Sequence, residues 1–172
     1  MVIIMETYLR IAGIIKESIV DGPGIRMVVF AQGCKHRCPG CHNPETHAFD
    51  GGTLVTVESI IEQAKKNPLL DGITFSGGDP FEQAPAFSIL AREAKKLNLD
   101  IVTYTGYTYE YLLENLSRHD GWDTLLDLTD ILVDGKYESS KRNILLKFRG
   151  SENQRIIDVK RSKMENKIVL VN

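Results

Sequence analysis

Apolar and polar positions along this chain alternate between the two periods that mark strands and helices. Ile25 to Ala31 is a β-branched and apolar run closed by Gly33, the pattern of a buried strand. Val57, Ile60, Ile61 and Ala64 follow at helical spacing behind Thr56, a suitable N-cap, with Pro68 just past the end. Gly72 to Ser76 reads as a short strand ended by Gly77-Gly78. Pro85 suits the first turn of a helix whose apolar stripe is Phe87, Leu90, Ala94 and Leu97. Asp100 to Thr105 predicts the next strand, closed by Gly106, and Thr108 caps a helix with Tyr109, Leu112, Leu113 and Leu116 on one face. Trp122 to Leu128 adds a short apolar helix before the strand Ile131-Leu132-Val133, which ends in Asp134-Gly135. Arg155 to Val159 and Lys167 to Val171 complete the set as strands.

This β/α alternation predicts an α/β fold with a mostly parallel sheet. Right-handed crossovers then bring every strand-to-helix loop to one edge, at the carboxyl ends of the strands. Four distinctive loops fall there: the segment after Ala31, Gly77-Gly78-Asp79-Pro80, Thr105-Gly106-Tyr107 and Asp134-Gly135-Lys136. With 172 residues the chain is short for a complete eight-unit barrel, so an open, partial β/α barrel is expected. No linker, repeat or low-complexity tract divides it. It reads as a single domain over 1–172, with a core from about 8 to 160 and peripheral ends.

Composition alters this picture little. Lys and Arg total 21 against 23 Asp and Glu, a balance that speaks against a nucleic-acid binder held by charge alone. The opening segment has no basic n-region or long apolar run, and nothing nears the roughly 20 apolar residues of a membrane span. A cytoplasmic protein is expected, with Met5 a candidate start beside Met1.

The cysteines change the picture most. The chain has three, Cys34, Cys38 and Cys41, crowded in C-x3-C-x2-C spacing, a poor framework for disulfides. Three thiolates on a tight loop suit three corners of a cubane iron–sulfur cluster, leaving the fourth iron open to a small molecule. Zinc is the alternative, because His36, His42 or His47 could complete a Cys3His set, although a distant second ligand pair is missing. Lys35, His36 and Arg37 otherwise read as a solvated loop.

The same spacing, taken with Val20-Asp21-Gly22-Pro23-Gly24-Ile25-Arg26, Gln32-Gly33-Cys34 and Cys41-His42-Asn43-Pro44, resembles the radical S-adenosylmethionine activating enzymes of glycyl-radical enzymes. Ser76 to Pro80, Thr105-Gly106-Tyr107, Leu132 to Tyr137 and Arg149 to Gln154 narrow the resemblance to the activating proteins of anaerobic ribonucleoside-triphosphate reductase. It implies that Cys34, Cys38 and Cys41 hold a 4Fe-4S cluster whose open iron chelates S-adenosylmethionine. Reductive cleavage of that molecule would give methionine and a 5′-deoxyadenosyl radical, which takes a hydrogen atom from a glycine of the reductase catalytic subunit. A flavodoxin or ferredoxin would supply the electron.

By the same resemblance Gly77, Gly78 and Asp79 would meet the methionyl amino group, although Gly-Gly-Asp-Pro is also good turn chemistry. Gly40 and His42 flank Cys41, where relatives hold the adenine. Asp134 and Lys136 match a pair that lies near a cation site and the substrate peptide of a related activator, or else a plain surface turn. Tyr107, Arg149, Asn153 and Gln154 are candidates to touch the reductase.

Overall fold

The structure, a computed structural model, describes residues 6–171, so Met5 and its reading as a start lie outside the described residues. Seven strands form one sheet in the order β3-β1-β2-β4-β5-β6-β7. They are β1 (Tyr8–Ser18), β2 (Arg26–Ala31), β3 (Thr53–Thr56), β4 (Gly72–Gly77), β5 (Asp100–Tyr104), β6 (Ile131–Asp134) and β7 (Arg155–Asp158). β2, β4, β5 and β6 pair in parallel, while β1 and β7 run antiparallel to their neighbours. β3 is antiparallel to β1, so five of the seven strands point one way. The sheet is open, with β3 and β7 as its edges.

Helices α1 (Val57–Lys65) and α2 (Ala84–Lys96) follow β3 and β4, α3 (Tyr109–Asn115) and α4 (Trp122–Leu128) both follow β5, and α5 (Val159–Glu165) follows β7. The caps read from sequence are formed: Thr56 Oγ1 accepts from the Ser59 N–H at 3.1 Å, and Thr108 Oγ1 from the Tyr111 N–H at 3.2 Å. Strand alternation divides the sheet into two faces. Met27, Val29, Ile73, Phe75, Ile101 and Leu132 join residues from all five helices in one buried cluster. Phe30, Tyr104, Val133 and Ile156 turn to the opposite face, which no helix of that cluster covers.

One end of that second face is closed by Arg26, whose side chain is 0% exposed. Its guanidinium donates to Thr74 Oγ1 (2.8 Å), the Pro23 carbonyl (2.9 Å) and Asp100 Oδ1 (2.5 Å). A buried cation is tolerable only when its donors are matched in this way. The Val20 to Arg26 segment is therefore, in part, an anchor that folds the β1–β2 loop over the sheet.

Two strands were not expected, and two expectations fail, each for local reasons. β1 and β3 escape the sequence pattern because Gly13 and the register shifts around it break the alternation of β1, and β3 has only four residues, none of them buried. Lys167 to Val171 is not a strand: Leu170 makes one isolated bridge to Ile157, and the chain from Val159 turns into α5 instead. Leu113 is exposed rather than on the packed face of α3.

Asp130 ties β5, α2 and α5 to the start of β6: its carboxylate accepts from Lys95 Nζ (2.7 Å) and the Ile101 N–H (2.8 Å), with Lys160 Nζ at 3.3 Å. Burial pushes its carboxyl upward, but these donors together outweigh burial and hold it below the ordinary value. A carboxyl depressed in the fold stabilises it above its unfolded pKa, and that contribution disappears as pH falls through the folded value. Asp130→Asn is expected to cost about 1–3 kcal/mol at pH 7, with the gap from wild type narrowing toward pH 3 in urea unfolding.

Candidate functional site

The carboxyl ends of β2, β4, β5 and β6 carry the four loops singled out from sequence, all on one edge. The first leaves β2 and carries the cysteines. Backbone bonds close its base, from the Gly33 N–H to the Thr46 carbonyl (2.7 Å) and from the Cys34 N–H to the His47 carbonyl (3.1 Å). Gln32 Nε2 grips the returning chain at the Ala48 carbonyl (2.6 Å). Within the loop the Cys41 N–H donates to the Cys38 carbonyl at 3.1 Å, and Cys41 Sγ accepts from the Asn43 N–H at 3.4 Å. Burial pushes the Cys34 thiol up to about 11 and also raises that of Cys38.

Gly78 fits because a Cβ there would strike the Gly33 carbonyl, while its N–H donates to the Ala31 carbonyl at 2.7 Å. The close approach that this glycine permits is therefore to the cysteine loop itself. At Gly106 a Cβ would run into the His36 ring.

Asp79 departs from expectation. Its side chain is 1% exposed and lies off the wall of the cavity described below. Oδ2 accepts from the Gly106 N–H (3.0 Å), lies 2.7 Å from His36 Nε2, and shares the Thr105 hydroxyl (2.9 Å) with Oδ1, which also accepts from the Phe81 N–H (3.0 Å). Facing a carboxylate, Nε2 is the protonated ring nitrogen. One carboxylate thus ties the cysteine loop, its own loop and the loop after β5 together. His36, read from sequence as solvated, is buried against it and packs edge-on to Tyr107 at 4.4 Å. Lys35 and Arg37 on either side are exposed.

A cavity of about 460 Å³ opens on this edge over the helix-free face. Cys34, Cys38, Cys41, His42, Gly77, Gly78 and Lys136 all contribute to its wall. The Gly40 backbone has φ +73, and its residue is exposed and off that wall. Asp134 is also off the wall: its carboxylate accepts from the Tyr109 N–H (2.8 Å) and from Arg155 Nη2 (2.5 Å). Among the described residues no three His, Cys, Asp or Glu side chains gather to hold one metal ion, and His36 is committed to Asp79.

Sequence reasoning missed the far wall. Phe30 and Tyr104 reach it from the sheet, and Tyr137, Leu146 and Phe148 from the segment after β6. Alternation along β2 and β5 is the signal that marks Phe30 and Tyr104. Arg149, Asn153 and Gln154 build this segment rather than project from it: Gln154 Oε1 accepts from the Gly150 N–H (2.9 Å), Arg149 donates to the Gln154 carbonyl, and Asn153 Nδ2 donates to the Lys136 carbonyl (2.8 Å). Tyr107 is half-buried and donates to Glu82 Oε1 at 2.6 Å.

If Asp79 is the clamp described, its link to His36 is energetically coupled. A double-mutant cycle of His36→Gln and Asp79→Asn, read by denaturant unfolding without metal, is expected to show about 0.5–3 kcal/mol of coupling. Additive losses would contradict it.

The sequence profile of the family described as a 4Fe-4S single cluster domain matches residues 20–157. The chain is 34% identical over 143 residues to the anaerobic ribonucleoside-triphosphate reductase-activating protein of Enterobacteria phage T4, covering 80% of this chain and 86% of that one. It is 36% identical over 147 residues to the protein of that name from Escherichia coli K12 (80% and 90% covered), and 35% over 145 residues to that of Vibrio cholerae (80% and 90%). A solved structure of QueE from Escherichia coli overlaps 59% of this chain and 54% of that one at 15% identity, with a TM-score of 0.43, too partial a likeness to inform the site. Matches of this extent, on a chain whose three cysteines meet at one cavity wall, place it plainly: it belongs to the 4Fe-4S single cluster family and, within it, to the anaerobic ribonucleoside-triphosphate reductase-activating proteins.

Proposed function

We propose that this chain is the activase of an anaerobic ribonucleoside-triphosphate reductase, with Cys34, Cys38 and Cys41 holding a 4Fe-4S cluster and S-adenosylmethionine lying in the adjoining cavity. The observation that carries this reading is the meeting of all three thiols with Gly77, Gly78 and His42 on the wall of one cavity. The donor set fits the group: thiolates are the usual cluster ligands, and in a cubane each stands on a different iron, so they need not converge on a single point. The volume of about 460 Å³ lies within the roughly 300–1,000 Å³ range of small-molecule sites. A cluster held by these three cysteines would supply the low-potential electron for reductive cleavage of S-adenosylmethionine, the chemistry that generates a glycyl radical on the reductase.

The chain's own residues do the positioning. The base of the cysteine loop, gripped by Gln32 and held to Asp79 through His36, fixes where the thiolates stand. Gly77 and Gly78 offer backbone rather than carboxylate to the methionyl end, since Asp79 is committed elsewhere. His42, whose ring lies 4.8 Å from that of Tyr137, offers a face for the adenine, and Lys136 brings a positive charge to the same wall. Phe30, Leu146 and Phe148 make the wall partly apolar, which limits water around a reactive radical.

The rest of the reading follows this assignment. The open sheet, with helices on one face and the site on the other, is read as a partial β/α barrel forming one domain. Among the described residues no helix is long and apolar enough to cross a membrane, and we place the protein in the cytoplasm. A reduced flavodoxin or ferredoxin is the proposed electron donor, because a low-potential cluster needs a low-potential source.

The test is anaerobic reconstitution with iron and sulfide, reduction, and addition of S-adenosylmethionine and the reductase. A glycyl-radical doublet in the electron paramagnetic resonance spectrum, absent with Cys38→Ala, is the expected result. Failure to take up iron would sink the reading. A second expectation separates Asp79 from the ligand wall: Asp79→Asn should lower cluster occupancy while leaving S-adenosylmethionine affinity per loaded cluster within about threefold. A carboxylate bonded to the ligand would instead lose roughly tenfold or more in affinity.

A further inference from the structure

Among the described residues five large apolar side chains are at least 70% exposed, and four of them lie in two segments that line the cavity: Ile19 (74%), Val20 (70%), Ile144 (81%) and Leu145 (85%). Val20 is itself on the cavity wall, as are Leu146 and Phe148, so these residues extend the wall outward without a break in sequence. Both segments are built turns. Asn143 Oδ1 accepts from the Leu145 N–H at 3.0 Å, its carbonyl accepts from the Leu146 N–H at 3.2 Å, and Tyr104 Oη donates to the Phe148 carbonyl at 2.5 Å. In the other, Ser18 Oγ donates to Asp21 Oδ2 at 2.5 Å and accepts from the Val20 N–H at 3.3 Å. Such bonds hold the aliphatic tips outward, in water, at a standing cost of exposed apolar surface.

The charge on the same segment is as uneven. Residues 136–149 hold Lys136, Lys141, Arg142, Lys147 and Arg149 against a lone carboxylate, Glu138, in a chain of net charge −2. Glu138 pairs with Lys141 at 2.9 Å, and among the described residues Lys136, Arg142 and Lys147 face no carboxylate. A basic collar around aliphatic tips suits a polypeptide that brings apolar side chains flanked by Asp and Glu.

We infer that Ile19, Val20, Ile144 and Leu145, with Arg142 and Lys147, form the docking surface for the reductase, and that they seat an aliphatic, acid-flanked segment of its polypeptide at the mouth of the cavity. The inference rests on the proposed function, since the hydrogen donor must reach that cavity; it adds which residues receive it and what chemistry they select. The apolar tips supply the hold, and the cations raise the rate of encounter.

The experiment uses the cluster-loaded full chain with Ile144→Ser/Leu145→Ser and, separately, Lys147→Glu. Neither Ile144 nor Leu145 lines the cavity or packs in the core, so cleavage of S-adenosylmethionine without reductase is expected to stay at the wild-type rate. Affinity for the reductase is expected to fall about 100-fold in the double variant, and Lys147→Glu to slow association most at low salt. Unchanged reductase affinity in the double variant, with wild type active, overturns the docking surface alone. So does a wild-type dimer in sedimentation that the double variant dissolves while reductase affinity stays put, which would make a second copy the occupant. Wild type that cleaves no S-adenosylmethionine contradicts the proposed function, and this inference falls with it.

Discussion

One buried carboxylate, Asp79, sets the geometry on which this site depends. Three loops that leave the sheet separately would each be free to move; hydrogen bonds from His36, Thr105 and Gly106 to the same two oxygen atoms deny them that freedom. An aspartate with its oxygens fully engaged is an economical clamp, because removing any one donor leaves a charge under-solvated in the interior. The neighbouring glycines serve the same end by letting backbones and the His36 ring come closer than any Cβ would allow. The cysteines inherit their placement from these contacts.

The sheet divides the remaining work between its faces. The helix-covered face holds the large side chains of the core, such as Phe75, Phe87 and Leu112, and gives the strand ends a rigid base. The other face is closed at one end by Arg26, and the cavity lies toward the other, walled in part by the segment after β6. That segment carries both apolar wall residues and exposed aliphatic tips, so ligand enclosure and partner contact fall to one stretch of chain.

Much of this was legible in the residues. Caps at Thr56 and Thr108, the parallel core strands and the shared edge of four loops follow from spacing and turn chemistry, and they are observed where expected. The cysteine loop was legible because C-x3-C-x2-C has few bland explanations. What stayed hidden depends on partners distant in sequence. β1 is a strand because β2 and β3 flank it, and nothing in its interrupted pattern says so. His36 looks like a solvated loop residue until Asp79, 43 positions away, is placed beside it. Asp79 and Asp134 show the converse: both look like ligand-facing carboxylates, yet each is enclosed by donors from other loops or strands.

The central claim is that three thiolates leave one iron of a cluster open to S-adenosylmethionine at this cavity. Mössbauer spectroscopy of the iron-57-loaded protein, before and after addition of S-adenosylmethionine, tests it most directly. The account predicts four irons per chain, one of which changes its isomer shift when the ligand is added while the other three do not. Four irons indifferent to the ligand, or a chain that binds zinc in place of iron, would contradict it.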